Sequence, residues 1–201
     1  MDHRNSRGEA TRESIIATGT RLFAAHGYEA ASTELLLREC GISRGALYHH
    51  FPSKEALFTA VLEATEKTIA SKIIAAASPA ANPLDALRAG CGAWLSLVDD
   101  PVVKQIVLID APSVVGWQTW REIDDRYVLG LIKSALGRAA TLGRVPANMV
   151  ELYAHMLLAM LIELALLIAR ADAPADAAAE AAQALEQVLS RLAGVAPYAA
   201  W

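Results

Sequence analysis

Apolar side chains in this chain recur every three to four positions, and over no useful length do they alternate. The first pattern has the period of an α-helix with one buried face, whereas a half-buried strand repeats every two residues. An all-α fold is therefore expected, in which each helix must find neighbours for its apolar side. The composition agrees. Hydrophobic residues make up 54% of the 201 residues but aromatics only 6%, and the excess is Ala and Leu, both strong helix formers. So much apolar surface offsets the conformational entropy of folding, which excludes disorder for most of the length.

Proline and glycine divide the chain into helical segments. The first is predicted over about 11–26, with Ile15, Gly19, Leu22, Phe23 and His26 on one face and Gly27 as its stop. Two short segments, about 33–40 and 43–50, flank Gly41-Ile42. Phe51-Pro52-Ser53 breaks the pattern, and Ser53 can cap a long fourth helix carrying Leu57, Val61, Leu62, Thr65, Ile69 and Ile73 to about Ala77. Residues 78–83 read as a linker, and Pro83 starts a fifth helix reaching about Val98. Asp99-Asp100-Pro101 starts a sixth that ends near Asp110, with Ala111-Pro112-Ser113 as a break. The seventh runs from about Trp117 to Leu142, the eighth follows Pro146, and the ninth opens at Asp172-Ala173-Pro174 and ends at Gly194, before a loosely held tail. Nine helices result, in a three-helix domain over 1–52 and a six-helix domain over 53–201.

Several classes of function are disfavoured. Residues 152–169 are nearly all apolar, but they include His155 and Glu163. A spanning helix wants about 20 apolar residues and a central acid costs it roughly 2.5–3.5 kcal/mol, so a buried helix is expected there and no membrane. The N-terminus has no apolar stretch of the kind a signal peptide needs, and a cytoplasmic location is expected. Cys40 and Cys91 form no C-x-x-C pair, so neither a disulfide scaffold nor a zinc site is indicated and no cofactor is expected. Cys40 reads as a small buried hydrophobe. Gly90-Cys91-Gly92 falls within a helix with no strand before it, and neither H-E-x-x-H nor a nucleophile elbow occurs. An enzyme is not expected.

The most informative stretch runs from Gly41 to Leu57, GISRGALYHHFPSKEAL. Two helices of about two turns are joined there by a tight turn, in which Gly41 can adopt positive φ and Ile42 plugs the core. This is helix-turn-helix geometry, whose second helix suits the DNA major groove. Leu47 and Phe51 supply its buried face, leaving Arg44, Tyr48 and His49 outward. Ser43 and Ser53 stand at helix N-termini, whose free N–H groups favour phosphate oxygens, and Lys54 adds a charge. Adjacent His49 and His50 diverge by about 100° and chelate a metal poorly, so one of them is expected to face inward.

At these residues the sequence resembles the tetracycline-repressor-like (TetR) family of bacterial transcriptional regulators. The resemblance covers about residues 11 to 60. It rests on Ile15-Ile16, Leu22-Phe23, Gly27-Tyr28, Gly41-Ile42-Ser43, Gly45-Ala46-Leu47-Tyr48 and Phe51-Pro52-Ser53-Lys54-Glu55 in the family's order and spacing. It implies an all-helical homodimer with an operator-binding N-terminal domain and an effector-binding C-terminal domain. By position, Thr33, Ser43, Tyr48 and Lys54 would contact phosphates, while Arg44, Gly45, Ala46, His49 and His50 would occupy the groove. Ala31 stands where the family favours a Thr, so capping of the second helix falls to Ser32 or Thr33. Leu37 and Cys40 replace small alanines, which suggests slightly altered packing of that helix.

The net charge of −4 seems to argue against nucleic acid, yet from Gly41 to Lys54 there are cations, histidines and no acid. Arg4, Arg7 and Arg12 add a possible basic arm. In the second domain, Trp94, Asp110, Trp117, Arg121, Tyr153 and Met156 are the candidates for an effector pocket, because ionisable groups on apolar helices must be paired or face a cavity. Its occupant would be a small apolar or amphipathic molecule. The eighth helix and the Ala-rich ninth, with its stripe of Ala178, Ala181, Ala182, Leu185, Val188, Leu189 and Leu192, read as a homodimer interface. The sequence thus points to a regulator of double-stranded operator DNA, expected to be a ligand-responsive repressor on a palindromic site. The alternatives are an activator or effector-free regulator of the same architecture and, more remotely, a helical apolar-ligand carrier or enzyme.

Overall fold

The computed structural model describes residues 3–194, with side chains from residue 8 to residue 192. Among them the chain is all-helical, with nine helices. Helix α1 spans His3–Ala30, α2 Thr33–Cys40, α3 Arg44–His50, α4 Lys54–Ala77 and α5 Pro83–Ser96. Helix α6 covers residues 103–114 and α7 residues 117–141, while α8 is Val150–Arg170 and α9 is Pro174–Gly194. The predicted tail beyond Gly194 lies outside the described residues. Among the described residues two compact units form: residues 3–66 with 100–121, and residues 67–99 with 122–194.

The first unit is built on α1 to α3, the start of α4, and α6. Ile15, Leu22, Phe23, Leu36, Leu47, Phe51, Leu57, Phe58, Val61 and Leu62 are buried in it. At its centre, Phe58 meets Phe23 and Tyr28 edge-on, with ring centroids 5.3 and 5.2 Å apart. Helix α1 begins well before Thr11, because the polar residues ahead of Ile15 carry no apolar period to announce a helix. Its path is broken where expected, at Gly27 (φ 75°, ψ 166°). That backbone conformation suits glycine alone. The break frees the Tyr28 N–H, which donates to Asp110 Oδ2 at 2.8 Å, and Asp110 Oδ1 accepts from Gln105 Nε2 at 3.0 Å. His26, expected on the inner face, is exposed.

Helix α6 corrects one expectation. Ala111-Pro112-Ser113 does not end it. Residues Val103–Asp110 are π-helical, and the N–H of Ala111 reaches back five residues to the Ile106 carbonyl. Pro112, which has no N–H, falls where the register returns to ordinary α spacing. Val115 N–H then bonds the Ala111 carbonyl at 3.0 Å, and the chain turns at Gly116. A second π-helical stretch, Asp125–Leu129, lies within α7. Helix α5 stops at Ser96 rather than Val98 because its last turn tightens, with Leu97 and Val98 donating to carbonyls three residues back.

The second unit packs α5, α7, α8 and α9 around one core. Helix α8 is long and apolar enough to cross a membrane by length and composition, but Ala154, Leu157, Leu158, Leu161, Ile162, Ala165 and Ile168 bury one side of it. It is not buried all round. Leu152, Met156 and Leu167 are more than half exposed. On α9, Ala181, Leu185 and Leu189 are buried, while Ala182 and Val188 of the same predicted stripe are exposed. Arg88 of α5 joins Glu186 of α9 at 3.1 Å. Lys133 of α7 lies 2.6 Å from Glu151 of α8, and with His155 it holds that carboxyl below its ordinary range.

Candidate nucleic-acid interface and ligand cavity

The second and third helices are set by short-range chemistry. Ser32 caps α2 by accepting from Leu35 N–H at 3.1 Å, so the cap falls to Ser32, beside a fully buried Ala31. Gly41 ends α2 in the left-handed region (φ 65°) and donates to the Arg38 carbonyl. Ser43 then caps α3 through Ala46 N–H at 3.2 Å. Ser53 caps α4 in the same way through Ala56 N–H at 3.0 Å. Each serine stabilises its helix by about 1 kcal/mol relative to alanine.

With both ends fixed, α3 turns Leu47 and Phe51 inward and leaves Arg44, Gly45, Tyr48 and His49 exposed. Tyr48 keeps 41% of its surface accessible. Thr33, Ala46 and His50 are half-buried, and the rings of His49 and His50 meet edge-on at 5.3 Å. Among the described residues no group of three His, Cys, Asp or Glu side chains could hold a metal.

The cations on this face are held in place. Arg44 Nη2 lies 2.6 Å from Glu34 Oε1, a partner that sequence reasoning missed. It lies ten residues away, on the other helix of the motif. Lys54 Nζ lies over the Tyr28 ring, 4.2 Å from its centroid, and reaches the Glu29 carbonyl at 3.4 Å. Burial raises the Tyr28 phenol above its ordinary pKa. Arg12, expected in a basic arm, lies over the Phe51 ring at 5.1 Å, while the side chains of Arg4 and Arg7 lie outside the described residues. Cys40 is half-buried, and burial raises its thiol.

The second unit contains a cavity of about 530 Å³, within the ~300–1,000 Å³ range of small-molecule sites. Its walls come from the end of α4, the turn after it, α5, α7 and α8. Of the six candidate effector residues, only Trp94 lines it. Asp110 belongs to the first unit and binds the Tyr28 backbone. Trp117, 60% exposed, stacks edge-on against Trp120, and Arg121 is half-buried in that same unit. Tyr153 is half-buried and Met156 is 57% exposed, and neither lines the cavity. Sequence reasoning missed Cys91, Ser134 and Arg138, which do.

The Cys91 thiol is pushed up to about 12 by burial. Folding therefore favours the protonated thiol, and the unfolded chain loses that proton first as pH rises. Stability from this group is intact below about pH 9 and falls from there to pH 12, by about 1.4 kcal/mol per unit. Urea unfolding at pH 8 and pH 10 is expected to show a larger loss for the wild type than for Cys91→Ala.

Comparison with known proteins now bears on this arrangement. Residues 15–61 match the family described as bacterial regulatory proteins, tetR family, and residues 84–192 match the tetracyclin repressor-like C-terminal domain. The chain belongs to the TetR family. It is a helix-turn-helix DNA-binding transcriptional regulator of a non-enzymatic family. A TetR-family transcriptional regulator from Pectobacterium atrosepticum has a solved structure similar to this one, with TM-score 0.83 and 26% identity, over 97% of this chain and 99% of that one. The HTH-type transcriptional regulator UidR of Escherichia coli K12 is 39% identical over 62 residues, 31% of this chain and 32% of UidR. The HTH-type transcriptional repressor AcnR of Corynebacterium efficiens is 47% identical over 51 residues, 25% of this chain and 27% of AcnR. The chain thus aligns with about a third or less of these curated relatives.

Proposed function

We propose that this TetR regulator is a cytoplasmic, homodimeric repressor that leaves a palindromic operator when a small apolar or amphipathic molecule enters the second unit. The observation that carries this reading is the pairing of a capped reading helix, its outward face bearing Arg44, Tyr48 and His49, with an apolar cavity of about 530 Å³ elsewhere in the same chain. The half-exposed Leu152, Met156 and Leu167 on α8 support a two-fold interface through α8 and α9. Two reading heads about 34–36 Å apart would meet successive major grooves of one DNA face. Thr33, Ser43, Tyr48 and Lys54 would hold phosphates, with Arg44, Gly45, Ala46, His49 and His50 against the bases. Similarity to the repressor AcnR favours repression. Helix α4 contributes to both units and would carry the change, provided the ligand binds the DNA-incompetent arrangement more tightly.

Arg44 gives the sharpest test. A lost arginine–guanine contact costs about 1–3 kcal/mol of discrimination, or about 5–150-fold. Arg44→Ala is therefore expected to weaken binding to the operator by that factor in a mobility-shift assay while affinity for random duplex changes little. Glu34→Gln, which removes the charge from Arg44's 2.6 Å partner, is expected to narrow the gap between operator and random DNA. Unchanged discrimination in both variants would remove Arg44 from the reading face. By linkage, effector and operator must weaken each other by equal factors.

A further inference from the structure

The cavity of the second unit is graded from its floor to its mouth. Gly90, Cys91, Trp94, Val128, Ile132, Ala135 and Leu161 are buried, whereas Ile74, Ser78, Asn82, Ser134 and Arg138 are exposed. The floor offers no open polar contact. The Trp94 indole N–H donates to the Leu161 carbonyl at 3.4 Å, and the Cys91 thiol stays protonated. A polar group at the inner end of a ligand would be desolvated there without a partner.

The mouth is different. Among the described lining residues Arg138 is the only charged one, and no acid lines the cavity beside it. Its Nη1 donates to Ser134 Oγ at 2.8 Å, one turn earlier on α7, and among the described residues it meets no carboxylate. Asn82 is already engaged, accepting from Leu84 and Asp85 N–H and donating to Asp85. What remains is one planar guanidinium, braced on one side, above an apolar well.

We propose that the effector is an amphipathic monoanion, an aliphatic chain ending in a carboxylate, which enters tail first and leaves its head on Arg138. A single carboxylate matches the fork and charge of one guanidinium, whereas an amine would be repelled and an alcohol would forfeit the charge-assisted bond. This assignment rests on the ligand-responsive reading above and adds the class and orientation of the ligand.

The test titrates full-length protein with dodecanoate, dodecan-1-ol and dodecylamine, followed by tryptophan fluorescence, and in parallel by release of the operator duplex. Dodecanoate is expected to bind about tenfold more tightly than dodecan-1-ol and to release the operator. Arg138→Gln is expected to bring dodecanoate level with dodecan-1-ol, and Arg138→Lys to restore part of the difference. 12-Bromododecanoate should quench more than 2-bromododecanoate, with the difference lost in Trp94→Phe. Equal binding of acid and alcohol, with release by both, would overturn the head-group assignment and leave the ligand-responsive reading intact. Tight, Arg138-dependent binding without operator release would support the assignment and overturn that reading. No binding of any of the three probes would overturn the proposal.

Discussion

Exchanging Met156 and Leu167 together for glutamate is expected to convert the proposed dimer into a monomer and to weaken operator binding by more than about a hundredfold. Both residues are 57% exposed in the single chain, so neither substitution removes a core contact, and each should shift folding stability by no more than about 0.5 kcal/mol. In a two-fold interface through α8 and α9 the same pair appears twice. Four carboxylates would then have to be buried without partners, each costing several kcal/mol. Every 1.4 kcal/mol is about tenfold in affinity, so an isologous interface does not survive the change. Operator binding falls with it, since a palindrome is held tightly only by two linked heads. Sedimentation velocity reads the assembly state, a thermal melt by circular dichroism checks the fold, and a mobility shift reads the consequence. A folded double variant that still sediments as a dimer would show that this face is not the interface.

Replacing Phe58 by alanine is expected to cost about 3–5 kcal/mol of folding stability. The ring has no exposed surface and is met edge-on by Phe23 and Tyr28, and such pairs contribute about 0.5–1.5 kcal/mol beyond their burial. Against a total stability of about 5–15 kcal/mol the loss is large. It also reaches the DNA face. Tyr28 carries the Lys54 ammonium on its ring and bonds Asp110 through its backbone, so loosening one ring loosens a proposed phosphate contact. Urea unfolding should show a lower midpoint with an unchanged slope. Phe58→Leu, which keeps most of the volume, should retain most of the stability. A loss below about 1 kcal/mol for the alanine variant would mean that the three rings are not the core of this unit.

What could be read in advance was what short-range chemistry decides. The limits of α2 and the start of α4 fall where predicted because Ser32 and Ser53 each accept an N–H three residues on, and Gly41 ends α2 by its backbone. The outward face of α3 follows from Leu47 and Phe51 alone. Proline misled at Pro112, since it falls in the first turn of the α-helical stretch that follows the π register, where a residue without an N–H is tolerated. The cavity was out of reach for a different reason. Its walls come from four helices and a turn, and an Ala, Leu or Ile on a helix looks the same whether it fills a core or borders a void. Trp94 could be chosen by residue type. Arg138, one basic residue near the end of a long helix, gave no sign of standing over an apolar well. Asp110 is a pocket candidate by sequence because an ionisable group must be paired or face a cavity; it is paired, with the backbone freed by Gly27, a contact 82 residues away in sequence.

That contact has a consequence during synthesis. The reading head is discontinuous along the chain, because residues 100–121 complete the unit begun by residues 3–66. At about 5–20 residues per second, a ribosome needs several seconds to pass from Tyr28 to Asp110. Until then the open N–H at the kinked end of α1 has only water as its acceptor. The nascent head must wait, half-assembled, for a segment that lies beyond the whole of α5. A head cut off after α4 would lack the carboxylate that accepts the Tyr28 N–H at the kink.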